Sequence, residues 1–166
     1  MFSMTSELKK LFECEAVSVY AVDLDNRKIY TRNIKSKSVD EVRVNISADS
    51  LAGFVAATGK ALNIKDAQDS KELAQYHPSL KNNTNWNKLF NLTTNSALVM
   101  PIPYKNKLMG VIQCINHKSG NGFSKDNLRQ ARELAVTLGH AMIKLRVEDV
   151  LSKIQLTTHE IHAAKN

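Results

Sequence analysis

The spacing of apolar positions changes several times along the chain, and each change marks an element. Leu8, Leu11 and Phe12 sit at helical spacing behind Thr5 or Ser6, either of which suits an N-cap, so a helix is predicted over residues 5–13. Residues 16–22, AVSVYAV, are apolar or aromatic on both faces, the pattern of a central strand covered on two sides. Asp23-Leu24-Asp25-Asn26 reads as a turn, and residues 27–31 return as the second arm of a hairpin. After a polar loop, residues 41–46 alternate as a strand with one wet face does. A thin helix follows, rich in small residues (Ala52, Gly53, Ala56, Ala57), with Ser47, Asp49 or Ser50 as its N-cap and Gly59 as its left-handed C-cap. A helix that slim lets a neighbouring backbone or a small ligand come close.

Leu62-Asn63-Ile64 is a short extended piece. Residues 67–95 are polar, rich in Asn, and contain Pro78 and the only tryptophan, Trp86. They read as a long connection with one or two short helices, a length that usually has a function or moves. Residues 96–104 and 108–116 form a second hairpin turning at Lys105-Asn106-Lys107, and Pro101 and Pro103 mark its first arm as an edge or bulged stretch. From Ser124 the period is helical. Leu128, Ala131, Leu134, Ala135, Leu138, Ala141, Met142 and Leu145 make one stripe, and Val147, Leu151, Ile154 and Ile161 start a second one out of phase. A kink or a new packing partner is expected at Arg146. The order helix, three strands, helix, long connection, two strands, long helix predicts an α+β sandwich, with a central antiparallel sheet flanked by helices. The expected division is a domain over 1–146 and a helical extension over 147–166.

Composition narrows the class. With 43% hydrophobic and 23% charged residues in 166, the chain is an ordinary globular domain with enough length to bury a sizeable core. No apolar run reaches the length of a membrane span, and the first residues lack the apolar stretch of a signal peptide. The two cysteines, Cys14 and Cys114, are far apart and in no CxxC, so a reducing cytoplasm is expected and a disulfide framework is not. The net charge of +7 comes from scattered Lys and Arg. A mild cluster at Arg27, Lys28, Arg32, Lys35, Lys37 and Arg43 alternates along strands and their loop, and Tyr20 and Tyr30 are not set among it as a base-stacking platform, so it reads as a solvated sheet face rather than a nucleic-acid site.

The thin helix and the second hairpin carry a resemblance. "ISADSLAGFVAATGKALNIKDA" (46–67) followed by "ALVMPIPYKNKLMGVIQCINHKSGNGFSKDN" (97–127) resembles the GAF family of small-molecule sensor domains, in the flavour of cyclic-nucleotide phosphodiesterases and bacterial signalling proteins. The likeness runs over about residues 5–146 and rests on several motifs in the family's order. It implies a GAF/PAS-like sheet, a long C-terminal helix and a ligand held over the sheet under a lid at about 66–94. By the same likeness Leu51 and Ala52 offer backbone N–H groups at the thin helix's positive end, suited to an anion. Asn87 and Thr94 fall at ligand-contacting lid positions, Gln113 at a pocket-facing strand position, and Asp66 and Trp86 are further candidates. The chain departs from the nucleotide-binding pattern. Asn116-His117 stands where Asn-Lys is usual, with Lys118 next in line to replace the lysine. Phe123 is followed after two residues by Asp126-Asn127, and Phe90 and Leu92 take the place of polar lid groups.

Bland readings were weighed beside these. Asp66 fits an N-cap of the next short helix, Trp86 a lid anchor, and the cysteines small core residues. His159 and His162 are three apart on a helix end, without metalloprotease spacing. No Gly-rich phosphate loop, Gly-x-Ser-x-Gly elbow or carboxylate pair is present. GAF proteins of this size include free methionine-R-sulfoxide reductases, whose chemistry needs a lid thiolate. This chain has no cysteine between Cys14 and Cys114. The expectation is therefore a non-catalytic sensory or regulatory domain that binds a small molecule. It has no cofactor or metal and no nucleic-acid or membrane partner, and it pairs as a homodimer through the C-terminal helix. The alternative is a ligand-free dimerisation or interaction module that regulates a partner enzyme such as a secretion ATPase.

Overall fold

The computed structural model describes the backbone of residues 2–35, 38–83 and 91–165, and the side chains of residues 4–31, 41–83 and 91–165. Helix α1 (Phe2–Leu11) leads into strand β1 (Cys14–Asp23), then β2 (Lys28–Lys35) and β3 (Ser38–Asn45). Helix α2 (Leu51–Thr58), strand β4 (Leu62–Ile64) and helix α3 (Ser70–Tyr76) follow, then β5 (Ala97–Tyr104), β6 (Lys107–His117) and the long helix α4 (Lys125–Lys165). The strands form one six-stranded sheet in the order β3-β2-β1-β6-β5-β4, with every pairing antiparallel. β1 and β6 are its centre, paired from Cys14 opposite His117 to Ala21 opposite Gly110.

Each face of the sheet buries its own core. On one side α2 and the segment after it cover Tyr20, Val22, Ile29, Val42, Val44, Leu62, Ile64, Val99 and Val111. On the other side α1 and the first half of α4 cover Cys14, Leu98, Ile102, Met109, Ile112 and Cys114, with Leu8 and Phe12 contributed by α1 and Ala131, Ala135 and Leu138 by α4. Gly139 lets α4 lie directly on β5. A Cβ built there would stand 1.9 Å from the Pro103 carbonyl oxygen.

Several expectations are corrected. The polar stretch read as a loop between two strands is itself strand: β2 and β3 pair down to Lys35 opposite Ser38. Its composition hid it, because Lys35-Ser36-Lys37-Ser38 shows no apolar alternation to read. Helix α1 starts ahead of Thr5 and Ser6, which lie inside it. The thin helix takes Ser50 as its N-cap, whose side chain accepts from the Gly53 N–H, and Gly59 closes it at φ 70°. Asp66 caps no helix. It accepts from the Gln68 N–H in a local turn, and Asp69 is the N-cap of α3. Pro101 and Pro103 sit where expected, with a register shift between Ile102 and Pro103. β4 reaches only the Ala97–Val99 end of β5, so the prolines lie where β5 has an open flank and no N–H is required. Helix α4 continues unbroken through Arg146. What changes there is its surroundings, because every residue from Lys144 to Lys165 is exposed.

Candidate ligand cavity

Small residues near the N-terminus of α2 answer two different contacts. Gly53 faces the chain's own backbone: a Cβ there would stand 2.3 Å from the Asn45 carbonyl oxygen and 2.7 Å from that of Ser47. Leu51 and Ala52 instead border a cavity of about 470 Å³ that lies between the α2 side of the sheet and the segment leading back to β5 and reaches past β1 to Met4, Thr5 and Lys9 of α1 and to Val17 and Val19. That volume lies within the ~300–1,000 Å³ usual for small-molecule sites. Its floor is Ala16, Ser18 and Tyr20 on β1, Gln113 and Ile115 on β6, Thr31 on β2, and Val42 and Val44 on β3. Asn82, Asn83, Leu92 and Thr94 wall it on the lid side.

The candidate residues divide accordingly. Leu51, Ala52, Thr94 and Gln113 line the cavity together. Asp66 does not line it: its carboxylate is spent on the local turn, and its own N–H and that of Lys65 donate to the Glu72 carboxylate at 2.8 and 2.7 Å. Trp86, Asn87 and Phe90 lie outside the described residues. Ser18, Tyr20, Thr31 and Asn82 were missed from sequence, because residues 16–22 read as apolar on both faces. Ser18 was the available signal, a hydroxyl in the middle of a central strand.

Burial pushes the Tyr20 phenol up to about 12, against a smaller opposing effect of the Ser18 hydroxyl beside it, so Tyr20 is a neutral group at any physiological pH. The lid's return to the sheet is fastened by Asn116, which sits at φ 59°. Its Oδ1 accepts from the N–H groups of Asn95 at 2.7 Å and Ser96 at 3.2 Å. Its Nδ2 donates to Glu15 Oε2 at 2.8 Å and to the Thr93 carbonyl at 2.7 Å. Asn116 thereby holds the residues flanking Thr94 against both central strands.

The positions at which the chain departs from the nucleotide-binding pattern make contacts of their own. His117 lies edge-on to Phe123, with ring centroids 5.3 Å apart, and its Nε2 is 3.8 Å from Glu13. Asp126 pairs within its own helix with Arg129, and Asn127 and the Ser124 hydroxyl bond each other at the start of α4. Lys118 is exposed and its N–H donates to the Glu13 carbonyl.

Neither thiol lines the cavity. Both cysteines are free and buried in the core behind the sheet. The neighbouring Cys14 thiol and burial push Cys114 well above the ordinary thiol range, the inert condition rather than the reactive one. Among the described residues no group of three His, Cys, Asp or Glu could hold a metal ion, and no helix is long and apolar enough to cross a membrane.

The sheet order, the flanking helices and the motif positions agree with the profile of the GAF domain, which matches residues 3–142. The chain belongs to the GAF domain family. A curated relative, the probable 3',5'-cyclic phosphodiesterase pde-5 of Caenorhabditis elegans, is 26% identical over 156 residues, covering 87% of this chain and 20% of the relative. The chain thus spans about a fifth of that protein's length. The GAF domain of a phosphoenolpyruvate-protein phosphotransferase from Coxiella burnetii has the same fold, with a TM-score of 0.68, 18% identity, and coverage of 89% of this chain and 82% of that one. So does the free methionine-R-sulfoxide reductase of Neisseria meningitidis, solved with its substrate, at a TM-score of 0.62, 16% identity, and coverage of 88% and 77%. The same fold is thus found in an enzyme as well.

Proposed function

We propose that this GAF domain is a non-catalytic sensory module that binds a small molecule, a cyclic nucleotide or another metabolite, over its sheet and passes the binding state to α4. The cavity carries this reading: the described residues leave about 470 Å³ open beneath the lid instead of filling it, where a module that only scaffolds would pack it. The reductase chemistry of the Neisseria neighbour has no counterpart in the described site, because both thiols lie in the opposite core. The mechanism is a population shift. A ligand that touches Thr94 and Asn82 holds those residues over the sheet, and the Asn116 clamp couples them to β1 and to β6, on which, with β5, α4 packs.

The output is a second copy of the chain. Val147, Val150, Leu151, Ile154 and Ile161 are each 51–55% exposed on the free half of α4. Val147, Ile154 and Ile161 recur every seven residues, but Asp149 and Thr157 interrupt the seam, so the two helices pack side by side in a short bundle contact rather than a long coiled coil. A reducing, cytoplasmic setting accords with two buried free thiols. Thermal-shift screening of the full chain against cyclic nucleotides, nucleosides and metabolites tests the sensory reading. At least one class is expected to raise the melting temperature, and the reading fails if none does.

A further inference from the structure

A sheet core is built from apolar side chains on its central strands, and the floor of this cavity breaks that rule. Ser18 on β1 stands directly opposite Gln113 on β6. Tyr20 is two residues further along the same face of β1, and Thr31 lies opposite Val42 on the neighbouring pair. All four line the cavity. A half-buried amide and three hydroxyls facing one cavity offer donors and acceptors that a bound molecule can use. No other described residue takes up the Gln113 amide or the Thr31 hydroxyl.

Every one of these groups is neutral. Among the described lining residues only Lys9 and Glu15 carry charge. Both are exposed and of opposite sign, and Glu15 already accepts from Asn116. The N-terminus of α2 is partly spent as well, since the Ser50 hydroxyl takes the Gly53 N–H. A primary amide pairs its N–H and C=O side by side, which matches a donor–acceptor edge such as a lactam or an aminopyrimidine presents. The apolar walls of Val42, Val44, Leu51 and Ala52 suit a flat ring. At ~30 Å³ per water the cavity of about 470 Å³ equals about sixteen waters, room enough for a nucleoside.

Building on the sensory reading, we propose that the cavity takes an uncharged, planar, amide-bearing heterocycle of nucleobase to nucleoside size. Gln113 reads its donor–acceptor edge, the Ser18–Tyr20 hydroxyls contact it alongside, and no phosphate is required. Among the described residues this recognition uses no charged side chain, so the expected binding varies little with salt.

Calorimetric titration of the full chain with inosine, uridine, cyclic AMP and cyclic GMP is the test. Inosine or uridine is expected to bind at least as tightly as either cyclic nucleotide, with less than a twofold change in Kd between 50 and 500 mM NaCl. Gln113→Met is expected to weaken that binding tenfold or more while the melting temperature stays within a few degrees of the parent. Binding of the cyclic nucleotides without the neutral nucleosides overturns this inference and leaves the sensory reading intact. So does an unchanged Kd in Q113M, or binding only of a non-heterocyclic metabolite from the wider screen. Failure of every compound in that screen overturns both.

Discussion

Replacing Asn116 with alanine removes the one side chain that ties the lid's return to both central strands. Two bonds to its Oδ1 and two from its Nδ2 disappear, one of them to the Glu15 carboxylate. Most of these groups are exposed and regain water, so only about 2 kcal/mol of the four is a net loss, at ~0.5–1.5 kcal/mol for a typical bond and less where water returns. The backbone adds to it. Asn116 sits at φ 59°, a left-handed conformation that costs alanine roughly 1 kcal/mol more than asparagine, which visits it readily. The expected total is about 3 kcal/mol, or a fall of roughly 6–12 °C in melting temperature for a chain this size. Asn116→Gly restores the backbone freedom and not the bonds, so it should recover about 1 kcal/mol relative to N116A. Asn116→Asp keeps the acceptors but sets a second carboxylate against Glu15. That repulsion raises its folded-state pKa, so the stability lost at pH 7 should return as pH falls towards about 4 and the group protonates. Urea denaturation of the three variants reads all of this. The reasoning is refuted if N116A lies within 0.5 kcal/mol of the parent, or if N116G is no more stable than N116A.

Gly139→Ala drives a methyl into the Pro103 carbonyl, 1.9 Å away, and α4 has to lift off β5. The expected cost is about 1–3 kcal/mol by thermal denaturation, and a neutral result means the helix does not sit that close. Asn26 and Arg43 hold the Asp23 carboxyl at about 2, below its ordinary value. A depressed acid stabilises the fold above its unfolded pKa, so this contribution should be intact above about pH 5 and fade between about pH 4 and 2. NMR titration should place Asp23 below the other carboxylates, with the gap narrowing in 0.5 M salt because the pair is at the surface. A midpoint near 4 refutes it. Light scattering should find a dimer for the full chain and a monomer for the chain cut after Leu145; a full-length monomer at high micromolar concentration refutes pairing through α4.

Much of the architecture was legible because burial imposes period. Residues 16–22, 41–46, 97–104 and 108–116 show their strands, and the 124–145 stripe its helix, since each has a face that must leave water. Local chemistry fixed both ends of α2: Ser50 among three candidate caps, and Gly59 because only a residue at ease at positive φ ends a helix that way. Where the sequence shows no apolar alternation, period carries no information, so the polar outer halves of β2 and β3 read as loop, and Asp66 reads as the cap that Asp69 provides. The family motifs pointed to Leu51, Ala52, Thr94 and Gln113, and these four do meet. Tertiary structure alone decided what stands beside them. Ser18 faces Gln113 only because β1 and β6, some 90 residues apart in the chain, pair in that register. Asn116 is a clamp only because residues 93–96 return alongside it. Both facts depend on which strand lies next to which, and a side chain's chemistry does not encode its partner when that partner arrives from the far end of the sequence.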